Sequence, residues 1–288
     1  MSLLTLIQDT CNQIGFPTPS AVMGTQNLLY KQILSVLETD VCNELKSAVR
    51  WPELTRTHTI TLVDGQDSYE LPADLERQLS ETHWDRDNQW PLLGPISPQS
   101  YNQDKYGVTD PSLRLRFRIK GFGTNQFLLS PVPTAADAGH VLSFEYQSST
   151  WCRPATWAAN TSYMANQYTF YDGNFYYTTA AGTSGSTPPT HTSSTASDGG
   201  ITWTYSSAAY TRFLKDTDET ILPEYVCILC LKYLFCQAKG LPFQVHYERF
   251  QKELNKQATK KRGTRTLNLA RRERRNLIIA RGPERGWG

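Results

Sequence analysis

Asp216, Asp218 and Glu219 crowd into the segment "FLKDTDETILPE". Acids this close could supply the carboxylate pair of a glycoside hydrolase. They also stand directly ahead of an apolar run, where carboxylates favour the positive end of a helix dipole. The second reading asks for nothing beyond a helix start. The five histidines, His58, His83, His140, His191 and His246, show no HExxH spacing and have no evident nucleophile partner. Cys227 and Cys230 form a CxxC without a second pair or suitably spaced histidines. Together with Cys11, Cys42, Cys152 and Cys236 they read as reduced, buried, small hydrophobes. The expectation is a protein without enzymatic activity, metal or cofactor.

Three other groups carry binding chemistry. In "SLRLRFRIKG", Leu113, Leu115, Phe117 and Ile119 alternate with Arg114, Arg116, Arg118 and Lys120. That is one strand with an apolar and a basic face. The basic face fits a solvated surface, pairing with acids of an adjacent subunit, or the lining of a DNA channel, where phosphate contact is independent of sequence. A second group is aromatic. Trp157 to Ser206 holds ten aromatic residues and only two charged ones, Asp172 and Asp198. Most of these rings suit a small core, while Tyr171, Tyr176 or Tyr205 could form a surface platform for stacking on sugars. The third group is the tail. Residues 256–288 hold eleven Lys or Arg and two Glu, a net +9 against −7 for residues 1–255. A basic extension on an acidic body points to an acidic partner, and identical neighbours could supply one.

The elements that must position these groups follow from periodicity. Ser2 caps a first helix that ends at Gly15, and a second helix is expected over roughly 20–49, closed by Trp51-Pro52. The period then falls to two through "RTHTITLVDGQDSYELP", with a turn at Asp64-Gly65, and through "ETHWDRDNQWPLLG", with Asp87-Asn88 between Trp84 and Trp90. Ser97-Pro98 opens a short helix, and "NQFLLSPVP" and "HVLSFEYQSS" add strands. Pro223 and Gly240 bracket an apolar helix, and Pro242 starts another with Val245, Phe250 and Leu254 inward. The predicted fold is α+β: a helical-bundle body with an antiparallel β-sheet, an inserted all-β module and an extended basic C-terminal arm. Residues 221–238 come nearest to a membrane span, but Glu224 and Lys232 interrupt them. With no secretory signal at the N-terminus, folding in a cytosol is expected.

The module is read from composition. "QYTFYDGNFYYTT" is a hairpin turning at Asp172-Gly173, "ITWTY" is a further strand, and a Gly/Ser/Thr/Pro-rich loop joins them. Residues 1–152 and 209–262 then form the body, 153–208 the insert and 263–288 the arm. Insertion requires the segments on either side to be neighbours.

An opening helix ending "QIG", Trp51 and Leu54, "SYELPAD", "WPLLGPISP", "RFRIKGFGTNQFLLSPVP", "FEYQSSTWC", "FLKDTDETILPE" and "KGLPF" follow one another along the body. In this order they resemble the head-to-tail adaptor, or connector, proteins of tailed bacteriophages, the tail accessory factors of the P22 gene 4-like kind. The insert, through "WAANTSY", "DGNFYY" and "SDGGITW", separately resembles aromatic modules of phage tail and carbohydrate-binding proteins. The resemblance implies a virion protein of the head–tail junction, assembled in the host cytoplasm. It implies a homo-oligomeric ring of about twelve copies closed by head-to-tail contacts. The ring would join the portal to a tail tube, nozzle or fibre protein around a continuous DNA channel. It further implies that the C-terminal part docks on the portal. Leu267, Leu269, Leu277, Ile278 and Ile279 would be the apolar anchors, with Arg271, Arg272, Arg274 and Arg275 meeting acids. A carbohydrate-binding tail component, with host glycan as its ligand, or a peptidoglycan hydrolase acting at entry is the alternative.

Overall fold

The computed structural model describes residues 1–107, 114–122, 124–208 and 210–261. From the N-terminus, α1 (Leu3–Ile14) and α2 (Leu28–Val36) are followed by a π turn (Leu37–Val41) and α3 (Cys42–Ala48). Five strands come next: β1 (Thr55–Thr61), β2 (Ser68–Glu70), β3 (Leu75–Gln78), β4 (Trp84–Asp85) and β5 (Trp90–Pro91). After α4 (Pro98–Tyr106) run β6 (Arg116–Phe122), β7 (Thr124–Ser130), β8 (Val141–Ser148) and β9 (Cys152–Arg153). The aromatic stretch forms β10 (Ser162–Tyr163), β11 (Gln167–Tyr171), β12 (Asn174–Thr178), β13 (Gly182–Thr183), β14 (Thr195–Asp198) and β15 (Ile201–Ser206). The last elements are β16 (Glu219–Thr220), α5 (Glu224–Ala238) and α6 (Gln244–Lys261).

The predicted helical-bundle body is not what forms. The described chain is mostly antiparallel sheet, in five sheets, and its helices lie mainly toward its two ends. The reason lies in the period-two stretch between residues 55 and 148. Its apolar faces are covered by each other rather than by helices. One sheet has the order β1-β8-β4-β5, with β3 also on β8, and a second has β2-β7-β6. Ile60, Leu142 and Phe144 of the first share a core with Phe117, Phe127 and Leu129 of the second. The turn at Asp64-Gly65 forms, with Gly65 at φ 75°, yet its two arms enter different sheets. The expected second helix begins only at Leu28, where the Asn27 side chain accepts from the Leu29 amide at 2.9 Å.

Helices still build one side of the molecule. α5 is apolar around most of its circumference and so is buried on nearly all sides, with Val226, Cys227, Cys230 and Leu231 inaccessible. It packs against α1, α2, the π turn and α6. Phe250 and Leu254 of α6 face inward as expected, whereas Val245 is exposed. All six cysteines are free and buried, and burial pushes the thiols up, Cys42 to about 11 and Cys227 to about 12. Thiols held protonated in this way are poor nucleophiles.

His83 lies within the sheet core, its ring stacked on Phe117 at 4.1 Å and on Phe144 at 5.1 Å, with Nε2 2.9 Å from Gln78 Oε1. Burial lowers its pKa to about 4. The folded protein therefore keeps a neutral ring while the unfolded chain takes up a proton near pH 6.5. The stabilisation is complete above pH 6.5 and is lost as pH falls towards 4, by about 3 kcal/mol for a shift of this size. His58 is shifted downward too, chiefly by burial. Chemical denaturation of wild type and His83→Phe at pH 7.5 and pH 4.5 should show the wild type losing more stability by a margin of that order. Equal losses would mean that the histidine is not held neutral.

Candidate functional site

The carboxylates that opened the enzyme question are each committed to internal contacts. Asp216 accepts from the amides of Val22 and Met23, at 3.2 and 2.8 Å, and so ties the loop after α1 to the segment before α5. Asp218 is 2% exposed and takes the Tyr210 hydroxyl at 2.6 Å and the amides of Leu214 and Lys215 at 2.7 and 2.9 Å. Glu219 pairs with Arg153 at 2.8 Å across the two-stranded ladder of β9 and β16. No two of these acids stand free across a cleft, so the arrangement fastens chain segments together rather than bracketing a scissile bond.

The same ladder draws together the two ends of the aromatic stretch. The Trp151 indole donates to the Thr211 carbonyl at 2.7 Å, and the Ile221 amide donates to the Trp151 carbonyl at 2.9 Å. Between these ends lies the sheet of order β11-β12-β15-β14. The hairpin at Asp172-Gly173 forms, both residues having positive φ, 45° and 82°. One face of this sheet lies on the helical side of the molecule through Phe175, which stacks with Tyr210 at 5.8 Å. The other face holds a small separate core of Tyr163, Tyr176, Ile201 and Trp203.

The tyrosine platform is not assembled as expected. Tyr176 is wholly buried, its hydroxyl donating to the His191 carbonyl at 3.0 Å. It cannot offer a face to a sugar. Tyr205 packs edge-on to Tyr176 at 6.2 Å, and half-buried Tyr171 stands edge-on to Trp157 at 6.0 Å. The sheet pairs Tyr176 with Tyr205 and so draws both into one core face. A buried acid missed by sequence reading organises this core. Asp198 accepts from the indoles of Trp157 and Trp203, at 3.1 and 3.0 Å, and from the Gly185 amide at 2.8 Å. Its isolation among uncharged residues was the available signal.

The basic strand is largely tied down within the chain. Arg116 pairs with Asp104 of α4, which also accepts from Ser130 Oγ at 3.0 Å. Arg118 lies over the Tyr101 ring at 5.5 Å, and Arg114 over the Trp90 ring at 5.0 Å. Lys120 is exposed. Arg116 and Arg118 therefore hold α4 against its sheet, a role none of the three readings had included. A double-mutant cycle on Arg116→Ala and Asp104→Ala should give a coupling of about 1–3 kcal/mol. Lys120→Ala should leave stability unchanged within about 0.5 kcal/mol. A zero coupling would return Arg116 to the surface readings.

Leu267, Leu269, Arg271, Arg272, Arg274, Arg275, Leu277, Ile278 and Ile279 lie outside the described residues. The last described residue, Lys261, reaches Glu53 and sits 4.6 Å over the Trp51 ring. The Trp51 indole in turn donates to the Leu45 carbonyl of α3 at 2.7 Å. An open groove of about 600 Å³ runs along α3, with Asp40, Glu44 and Glu76 on its walls, Glu76 paired with Lys46. No helix among the described residues is long and apolar enough to cross a membrane.

Residues 1–275 match the family model described as SU10 adaptor protein, and the chain belongs to that family of phage adaptors. Comparison with curated proteins gives no match.

Proposed function

We propose that this chain is a structural, non-enzymatic ring subunit of a tailed-phage virion, placed at the head–tail junction between portal and tail. The observation that carries this reading is the adaptor family match over residues 1–275. The sequence likeness to P22 gene 4-like connectors supports the finer features: a ring of about twelve copies, closed by heterologous contacts, around a continuous DNA channel. Assembly in the host cytoplasm and contact with a tail tube, nozzle or fibre protein belong to the same proposal. So does the division into a body of 1–152 and 209–262, an inserted module of 153–208 and an arm of 263–288. The closeness of Trp151 to Thr211 supports the insertion, since a module can be accepted where its two ends meet. The internal commitments of Asp216, Asp218 and Glu219 favour this reading over peptidoglycan hydrolysis.

The genetic test is a phage carrying a nonsense codon early in this gene, grown without suppression. DNA-filled heads without tails should accumulate, and purified protein should restore tail joining in the lysate. Normally tailed particles lacking the protein would contradict the proposal.

A further inference from the structure

The side of the aromatic sheet turned away from the helices bears a pocket of about 440 Å³ formed by the loop 185–191 and the turn at Asp198-Gly199, with Trp203 at its base. The walls are firmly built. Asp198 fixes both sides, through the Gly185 amide and the Trp203 indole, and a Cβ on Gly185 would come within 2.6 Å of Asp198 Oδ1. Pro188 and Pro189 stiffen the loop further, and the rim carries exposed hydroxyls such as that of Thr187.

His191 lines this pocket, and neither of its ring nitrogens has a partner although both are shut off from solvent. A neutral imidazole offers one N–H and one lone pair, and leaving both unpaired under cover is costly. The ring rests on Tyr176 at 5.0 Å, while its backbone carbonyl accepts the Tyr176 hydroxyl. The backbone is therefore anchored and the imidazole is the part left to pair.

We infer that this pocket binds one residue of a neutral glycan, with His191 as donor and acceptor to its hydroxyls. Charge argues against anions and cations. The pocket lining carries no lysine or arginine to hold an anion, and its one carboxylate, Asp198, is already engaged by three N–H donors that a cation would have to displace. The accessible lining, half-buried Pro188 beside the exposed hydroxyls of Thr187 and Thr190, matches the C–H groups and hydroxyls of a pyranose. Engagement requires the imidazole to turn towards the cavity it lines. The site is distinct from Tyr171, and it does not depend on the adaptor role.

The experiment uses the full chain and saturation-transfer NMR with glucose, galactose, N-acetylglucosamine and their β-linked disaccharides. At least one should bind with a Kd below about 10 mM, typical of a single-residue contact. His191→Ala should weaken it at least about tenfold, the scale of losing charge-free hydrogen bonds to one side chain. His191→Gln, which keeps a donor and an acceptor, should retain part of the binding, and Tyr171→Ala should retain all of it. Matching thermal melts of the variants confirm that the fold is intact, and the Gln variant serves if the Ala variant does not fold. Absence of binding by every probe at about 50 mM, well above the expected Kd, would overturn the inference. So would binding that His191→Ala leaves intact or that Tyr171→Ala abolishes.

Discussion

Asp218→Ala should destabilise the protein by about 3–5 kcal/mol, enough to unfold a large part of a marginally stable population. The carboxylate is buried and its three donors come from three residues, Tyr210, Leu214 and Lys215. Removing it strands a phenol and two amides at a buried site. Burial and the Asp218 bond push the Tyr210 hydroxyl well up, so it stays protonated and donating throughout the accessible pH range. The damage should spread, because Tyr210 also stacks on Phe175 and its amide donates to Thr150 Oγ1 at 3.2 Å. Asp218→Asn, which keeps an acceptor oxygen, should cost roughly half as much. Urea unfolding of the three proteins measures this, and an Ala variant within about 1 kcal/mol of wild type would show that the knot does not hold the joint between sheet and helices.

Truncation after Gly263 should leave a folded subunit that no longer joins portals, with DNA-filled heads that leak. The removed segment combines five aliphatic anchors with clustered arginines, a composition that a merely solubilising tail does not need. Our proposal is that Thr266–Arg281 orders on assembly, its apolar residues packing into portal grooves while Arg271, Arg272, Arg274 and Arg275 meet acids, or in part channel DNA. Ordering entropy would then be offset by the interface formed. The fold should survive because Lys261, ahead of the cut, already ends α6 against Glu53 and Trp51. Thermal unfolding and cosedimentation with portal separate the two effects. A truncated protein that assembles and retains DNA would remove the arm from the docking role.

Local structure was largely legible in the sequence. The Ser2 cap and Gly15 stop of α1, the Ser97 cap of α4 and the Asp172-Gly173 hairpin all form, because each depends on residues a few positions apart. What escaped was set by distant partners. Alternation identified β1 as a strand, but it could not say that β1 pairs with β8 while β2 goes to β7 in another sheet. For that reason helices were expected to supply a body that two sheets mostly supply. Likewise Arg116 and Arg118 read as a basic face until α4 closes over them, and Tyr176 read as a surface ring until its pairing with Tyr205 turned it inward. The chemistry of each side chain was visible, while the neighbour that uses it lay at least twelve residues away along the chain.

The most direct test of the adaptor assignment is negative-stain imaging of the purified full-length protein, alone and mixed with its portal. Closed rings seated coaxially on one end of the portal are expected in the mixture. A stable monomer that never binds portal would contradict it.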